Sequence, residues 1–281
     1  MLESLPKAGK YGFSPGLYDV HAHLADARLR PELPGIILRC QQEMQAVLVN
    51  AARFSEWDLV LRLAQSPCVF AALGLHPFFL DEAPADYLAL LHQKLLSPAL
   101  ENKIIAIGEI GLDFWHGREN SAKQIAIFSE QLLLAQQLKL PVILHNRKAW
   151  PDFFAVLKNL RLSSLRGVCH HFNASPEIAR QALEHGLYLS FCGPLTWPES
   201  RRLHKLAGLV PLDRILVETD CPDLPPQSSR GGQSRPWMVA EIMDKIAQLQ
   251  NIPKQKLAAQ IASNWTSLFD STCKAPSSEL L

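Results

Sequence analysis

Eight short apolar runs recur along the chain, and a stretch with helical spacing or a helix-opening signal follows each of them. The runs cover 17–23, 46–50, 69–76, 104–109, 141–145, 167–170, 187–191 and 215–220. Strands buried on both faces read as continuous apolar runs, and parallel strands need helical crossovers between them. Helices are predicted near 35–45, 55–65, 84–97, 121–139, 150–159, from Ser175-Pro176 onward, and near 199–207, 237–249 and 254–269. Between 121 and 139 the stripe Ile125, Phe128, Leu132, Ala135 and Leu138 keeps helical spacing. Ser175 is a plausible cap, with Pro176 at the first helical position. Eight strand–helix units match a (β/α)8 TIM barrel, which takes about 250 residues; this chain has 281. The expected layout is a lead-in over 1–16, one barrel domain over 17–270 and a frayed tail over 271–281. A doubly wound open sheet is the rival architecture.

Where the runs end decides between the two. The fourth closes on Gly108-Glu109-Ile110-Gly111-Leu112-Asp113, which puts a carboxylate at the exit of a buried strand. Such a charge is costly unless it is paired or binds a metal. On its own, Glu109 could be a salt-bridged or helix-capping residue. However, His145, His170 and Asp220 end the fifth, sixth and eighth runs, and His21 and His23 end the first. Period-two alternation places His21 and His23 on one face. A barrel brings all eight C-terminal strand ends to one mouth, whereas an open sheet gives no reason for this registry. Imidazole and carboxylate together suit zinc, manganese or a similar divalent ion. Two ions can share a bridging carboxylate, and Glu109 is the natural bridge. His171 follows His170 directly, so alternation assigns it to the opposite face without a metal role. Lys148 lies beyond the fifth strand end and reads as a surface residue.

Composition sets the outer limits. Charged residues are 20% of the chain and net charge is +1, so no global field draws polyanions, and any nucleic-acid role depends on a local site. The six cysteines show no CxxC spacing and several lie in apolar runs, as in a reduced cytoplasmic protein. The opening MLESLPKAGK carries no apolar signal segment, and no run reaches membrane-spanning length. The expectation is therefore a cytoplasmic location, no membrane partner and no obligate protein partner.

DVHAHL, GLHP, IGEIGLDFW, the helix pattern Q-x3-F-x2-Q-x3-A, LPVILHNR, GVCHHF, SFCGPLT and ETDCPDLPP occur in that order between about 17 and 236. As a set they resemble the TatD-type metal-dependent deoxyribonucleases, which are amidohydrolase-like TIM barrels. The resemblance implies a divalent-metal hydrolase of phosphodiesters, a 3′–5′ exonuclease-like deoxyribonuclease with two ions (Zn, Mn or Mg). It implies His21, His23, Glu109, His145, His170 and Asp220 as metal ligands. Asp220 would orient or deprotonate the water, Glu109 would share in catalysis as the bridge, and His76 and Arg147 would hold the phosphate. Glu218, one layer deeper than Asp220, would brace the ligands. DNA or another phosphodiester is the implied substrate.

The chain departs from the family pattern at the rim. His76-Pro77-Phe78 stands where His-Pro-His is usual, and Ala174 follows Phe172-Asn173 where Ser-Gly is usual. Arg230-Gly231-Gly232-Gln233-Ser234-Arg235-Pro236 replaces Arg-Gly-x-x-Asn-Glu-Pro. The same ligands would equally serve hydrolysis of a cyclic amide or an aminoacyl-tRNA ester, because activated water attacks carbonyl carbon as well as phosphorus. A non-catalytic binding protein on a retained barrel would be signalled by a lost ligand, and all six are present.

Overall fold

The computed structural model describes residues 16–98, 102–162 and 165–270. Except for Gly16, the expected lead-in and tail lie outside these. The strands are β1 (Leu17–Ala22), β2 (Met44–Asn50), β3 (Val69–Leu73), β4 (Ile104–Asp113), β5 (Val142–Arg147), β6 (Gly167–Cys169), β7 (Tyr188–Phe191) and β8 (Ile215–Val217). They form one sheet in chain order, and every neighbouring pair is parallel. The helices among the described residues are α1 (Leu33–Glu43), α2 (Trp57–Leu63), α3 (Tyr87–Leu95), α4 (Ser121–Leu138), α5 (Trp150–Asn159), α6 (Pro176–Glu184), α7 (Arg201–Leu209), α8 (Val239–Leu249) and α9 (Lys254–Phe269). This is the (β/α)8 barrel that the rhythm of the sequence predicts.

Closure happens at the mouth. Ala22 pairs with Cys221 beyond the end of β8, the Asp220 amide donates to His21 O at 2.9 Å, and the His23 amide donates to Cys221 O at 2.8 Å. Buried Asp19 adds a side-chain bridge, accepting from the Thr219 amide, the Thr219 hydroxyl and the His21 amide.

Three strand ends differ from expectation by three residues or more, each for a local reason. β8 stops at Val217 because Asp19 takes the Thr219 amide and Asp220 has a left-handed φ of 53°. β3 stops at Leu73 because side chains replace its ladder: Trp57 Nε1 donates to Gly74 O, and Gln131 Oε1 accepts from the Leu75 amide. β4 runs on to Asp113 because its pairing with β5 resumes at Ile110↔Leu144 and continues to Asp113↔Arg147. Gly111 faces His145 there, at a φ of 153°, and a Cβ on it would lie 1.9 Å from His145 O. Only glycine allows this approach.

The buried apolar residues of strands and helices form one continuous cluster. On α4 the expected stripe supplies Phe128, Leu132 and Ala135 to the interior, and buried Gln124 and Gln131 accompany them. Ser175 caps α6 by accepting from the Ile178 amide, with Pro176 opening the helix. Among the described residues no helix is long and apolar enough to cross a membrane.

Candidate metal centre

Two irregularities in pairing aim side chains into the mouth. From β1 to β2 the register steps from Asp19↔Val47 to Ala22↔Val49; from β4 to β5 it steps from Ile107↔Val142 to Ile110↔Leu144. In each case β1 or β4 carries one extra residue, the signature of a bulge that redirects a side chain. His21 lies in the first irregular stretch and Glu109 in the second.

Glu109 is 2% exposed, and its two oxygens face different partners. Oε2 lies 3.5 Å from His21 Nε2 and 3.3 Å from His23 Nε2. Asp220 Oδ1 faces the same two nitrogens, at 3.5 and 3.4 Å. Oε1 lies 2.8 Å from both His145 Nδ1 and His170 Nε2. Within each group the two imidazole nitrogens approach to 3.0 Å. All six residues singled out in the sequence as possible ligands are thus brought together, in two groups divided by one carboxylate.

Partners outside the cluster set the tautomers. A backbone carbonyl or a carboxylate only accepts, so His23 donates through Nδ1 to Asn50 O (3.1 Å) and His145 through Nε2 to Asp113 Oδ2 (2.8 Å). In the neutral rings this turns His23 Nε2 and His145 Nδ1 inward as acceptors, and each faces a second imidazole nitrogen, His21 Nε2 or His170 Nε2, whose ring has a buried Nδ1 without a hydrogen-bond partner. Ligands sharing an ion with bonds of about 2.0–2.1 Å stand roughly 3.0–3.4 Å apart, close to the separations found here. The residues therefore fit a divalent metal, and Glu109 could contact both groups.

Electrostatics follow the same division. Burial pushes the Glu109 carboxyl up, but the imidazoles that face it, His76, His170 and His21 with the hydrogen bond from His145, more than offset this and hold it well below the usual carboxylate range. For Asp220, burial is likewise outweighed by the facing His23, His21 and His170. Burial lowers the imidazoles in turn. Asp220 and Glu109 nevertheless raise His23 well above its ordinary value, and Glu109 and Glu218 do the same for His170. Asp113 and Glu109 raise His145 against its burial.

His76 has a different role available to it. It lies 6% exposed beyond β3, and its Nδ1 accepts from the Phe78 amide at 3.1 Å. Nε2 therefore carries the proton and faces Glu109 Oε1 at 3.5 Å. Although His76, Glu109 and His145 are close enough to form a ligand triad, a protonated nitrogen is a donor, not a ligand. Burial pushes the pKa of His76 down to about 3, so the ring stays neutral.

Glu218 is fully buried beneath the cluster. Its Oε1 accepts from the His171 amide at 2.6 Å and lies 3.6 Å from His170 Nδ1, while Oε2 accepts from the Ser190 hydroxyl. His171 itself sits past the end of β6 with a φ of 44°, so strand alternation does not set its direction. It is half-buried, with its ring centroid 6.4 Å from that of His170. Arg147 is exposed at the rim, its guanidinium 3.8 Å from the centre of the Trp115 ring. Exposed Lys148 lies beside it, at 3.9 Å from the same ring.

Sequence reasoning did not single out Asp113, Asp19, Gln124 or Gln131. Gln124 grips the Asp113 backbone from both sides, accepting from its amide and donating to its carbonyl. The available signal was the position of these residues inside the quoted motifs.

Comparison with known proteins identifies a family for the chain. The family model described as TatD related DNase matches residues 18–270. The uncharacterized metal-dependent hydrolase YabD of Bacillus subtilis is 31% identical over 255 residues, covering 90% of this chain and 98% of that protein. The 3′-5′ ssDNA/RNA exonuclease TatD of Erwinia amylovora is 30% identical over 263 residues, covering 90% of this chain and 99% of that protein. The crystal structure of YjjV, a TatD homologue from Escherichia coli K12, superposes with a TM-score of 0.81 at 30% identity, covering 90% of this chain and 97% of that one. With the match running from β1 to the end of α9, this chain belongs to the TatD-related DNase family of metal-dependent hydrolases.

Proposed function

We propose that the chain hydrolyses phosphodiester bonds in nucleic acid, DNA first, removing nucleotides from 3′ ends with two divalent ions (Zn, Mn or Mg). The observation that carries this reading is Glu109, whose two oxygens each face a separate pair of imidazole nitrogens. His21, His23, Asp220 and Glu109 would hold one ion, and His145, His170 and Glu109 the other. The chemistry such ions supply when bound is Lewis-acid polarisation of the phosphate and a water acidic enough to ionise near neutral pH. The name of the Erwinia relative supports the substrate and the direction.

The chain's own groups complete the step. Asp220 is ionised and faces the His21–His23 side, where it accepts the proton of the attacking water. The water oxygen bonds to phosphorus as the opposite P–O bond breaks, and the leaving oxygen takes up a proton from solvent, giving one phosphate monoester and one hydroxyl. Neutral His76 donates from Nε2 to a non-bridging oxygen. Arg147 meets the strand at the rim, and Glu218 keeps His170 in position from below.

The test is a panel with added Zn, Mn or Mg. It contains a 5′-labelled single-stranded oligodeoxynucleotide, an aminoacyl-tRNA and a cyclic amide. The expected result is stepwise shortening of the oligonucleotide from its 3′ end, slowed about 10²–10⁴-fold by Asp220→Asn. Hydrolysis of the cyclic amide or the aminoacyl ester with the oligonucleotide left intact would overturn the reading.

A further inference from the structure

We propose that Phe78, Trp115, Arg147 and Lys148 form a subsite for single-stranded nucleic acid: Phe78 stacks the base of the nucleotide being released, and the two cations hold the next backbone phosphate. This rests on the phosphodiesterase reading above and names how that substrate is gripped.

Most large apolar side chains are buried, and the two aromatic residues among the described exposed ones are Phe78 (43%) and Trp115 (47%). Both follow barrel strands at the mouth. Phe78 comes after β3, with its ring centroid 5.0 Å from that of His76 and 6.5 Å from that of His145. Trp115 comes after β4, and its neighbour His116 lies 5.5 Å from Phe78, ring to ring. Folding gains little from rings left so exposed, since apolar surface contributes in proportion to the area removed from water.

Their backbones are nevertheless tied to the donor cluster. The Phe78 amide donates to His76 Nδ1 at 3.1 Å, and the Trp115 amide donates to Asp113 Oδ1 at 2.8 Å. The other oxygen of Asp113 holds His145. The same groups that orient the cluster therefore fix the two aromatic residues beside it.

The cations fit the same ligand. Arg147 and Lys148 both rest on the Trp115 ring, at 3.8 and 3.9 Å, and neither makes an ion pair among the described residues. A ring holds a cation in place without neutralising it, so their N–H groups stay available to phosphate. Aromatic faces that accept any base, next to cations that follow the backbone, are how single strands are bound without sequence preference. A net charge of +1 makes such a local cluster necessary, because the whole molecule supplies no attraction.

The experiment compares two single-stranded oligodeoxynucleotides that differ only in whether the 3′-terminal residue carries a base or is abasic. Stacking of one base is worth roughly 5- to 150-fold, so the wild-type chain should prefer the base-bearing end by about that ratio. Phe78→Ala and Phe78→Leu should bring the ratio close to one, while Phe78→Tyr should keep it. In anisotropy titrations of a labelled pentanucleotide, Arg147→Ala and Lys148→Ala should each lower the slope of log affinity against log salt by about 0.7. Cleavage of the oligonucleotide with the ratio unchanged in Phe78→Ala would overturn the subsite and leave the phosphodiesterase reading standing. Salt slopes unchanged in both cation variants would overturn the backbone contact. If the wild-type chain cleaves no oligonucleotide while hydrolysing another panel substrate, both readings fall.

Discussion

Asp113 illustrates how one residue links several functions. One oxygen fixes the His145 tautomer, and the other anchors the Trp115 amide. Losing a partner that orients a metal-binding histidine typically costs 10–100-fold in metal affinity. Asp113→Ala should show about that loss in a chelator competition, and unchanged affinity would contradict the role. Protonation acts at the same scale. His23, His145 and His170 are raised above the ordinary imidazole value by the carboxylates around them, against the effect of burial. In the metal-free chain this favours the doubly protonated rings, and an incoming ion must displace the inward proton. Metal affinity should therefore rise with pH between 6 and 8, with protons released on binding. Calorimetry in two buffers of different ionisation enthalpy measures this; a pH-independent affinity without proton release would refute it. The six candidate ligands were legible in the sequence because each closes an apolar run. Asp113 and Asp19 were not, because the partners that give them their roles are far along the chain: His145 for one, Thr219 for the other.

At the scale of elements, α4 supports the loops that carry the site. Gln131 accepts from the Leu75 amide at 2.8 Å, just before His76, and Gln124 brackets Asp113. Gln131→Leu keeps much of the volume but leaves a buried amide without a partner, a loss of about 1–3 kcal/mol. Urea unfolding should register that drop, and unchanged stability would show that Leu75 finds another acceptor. The apolar stripe of α4 was readable from spacing alone, but two glutamines on a buried surface carry no such signal. α5 (Trp150–Asn159) and α9 (Lys254–Phe269) follow the expected boundaries because apolar spacing and flanking breakers mark them. Strand ends were less legible. β4 outlasts its apolar run because it regains register with β5 after a bulge, and a bulge is a property of two strands together.

At the scale of the whole molecule, residues from β1, β4 and β5, and from just beyond β6 and β8, meet at one cluster. The barrel closes through the same stretch, with Asp220 and Cys221 pairing to His21, Ala22 and His23. Glu109 is central to this arrangement: it contacts both groups of donors and pairs through its own amide with Ala51 O at 3.1 Å. If the two groups hold two ions, one carboxylate couples them. The most direct test is metal content per chain, measured by elemental analysis after metal loading, for the wild type and Glu109→Ala, with oligonucleotide hydrolysis measured on the same samples. The account predicts about two divalent ions per wild-type chain, and loss of bound metal together with activity in Glu109→Ala. Two ions retained with full activity in Glu109→Ala would contradict it.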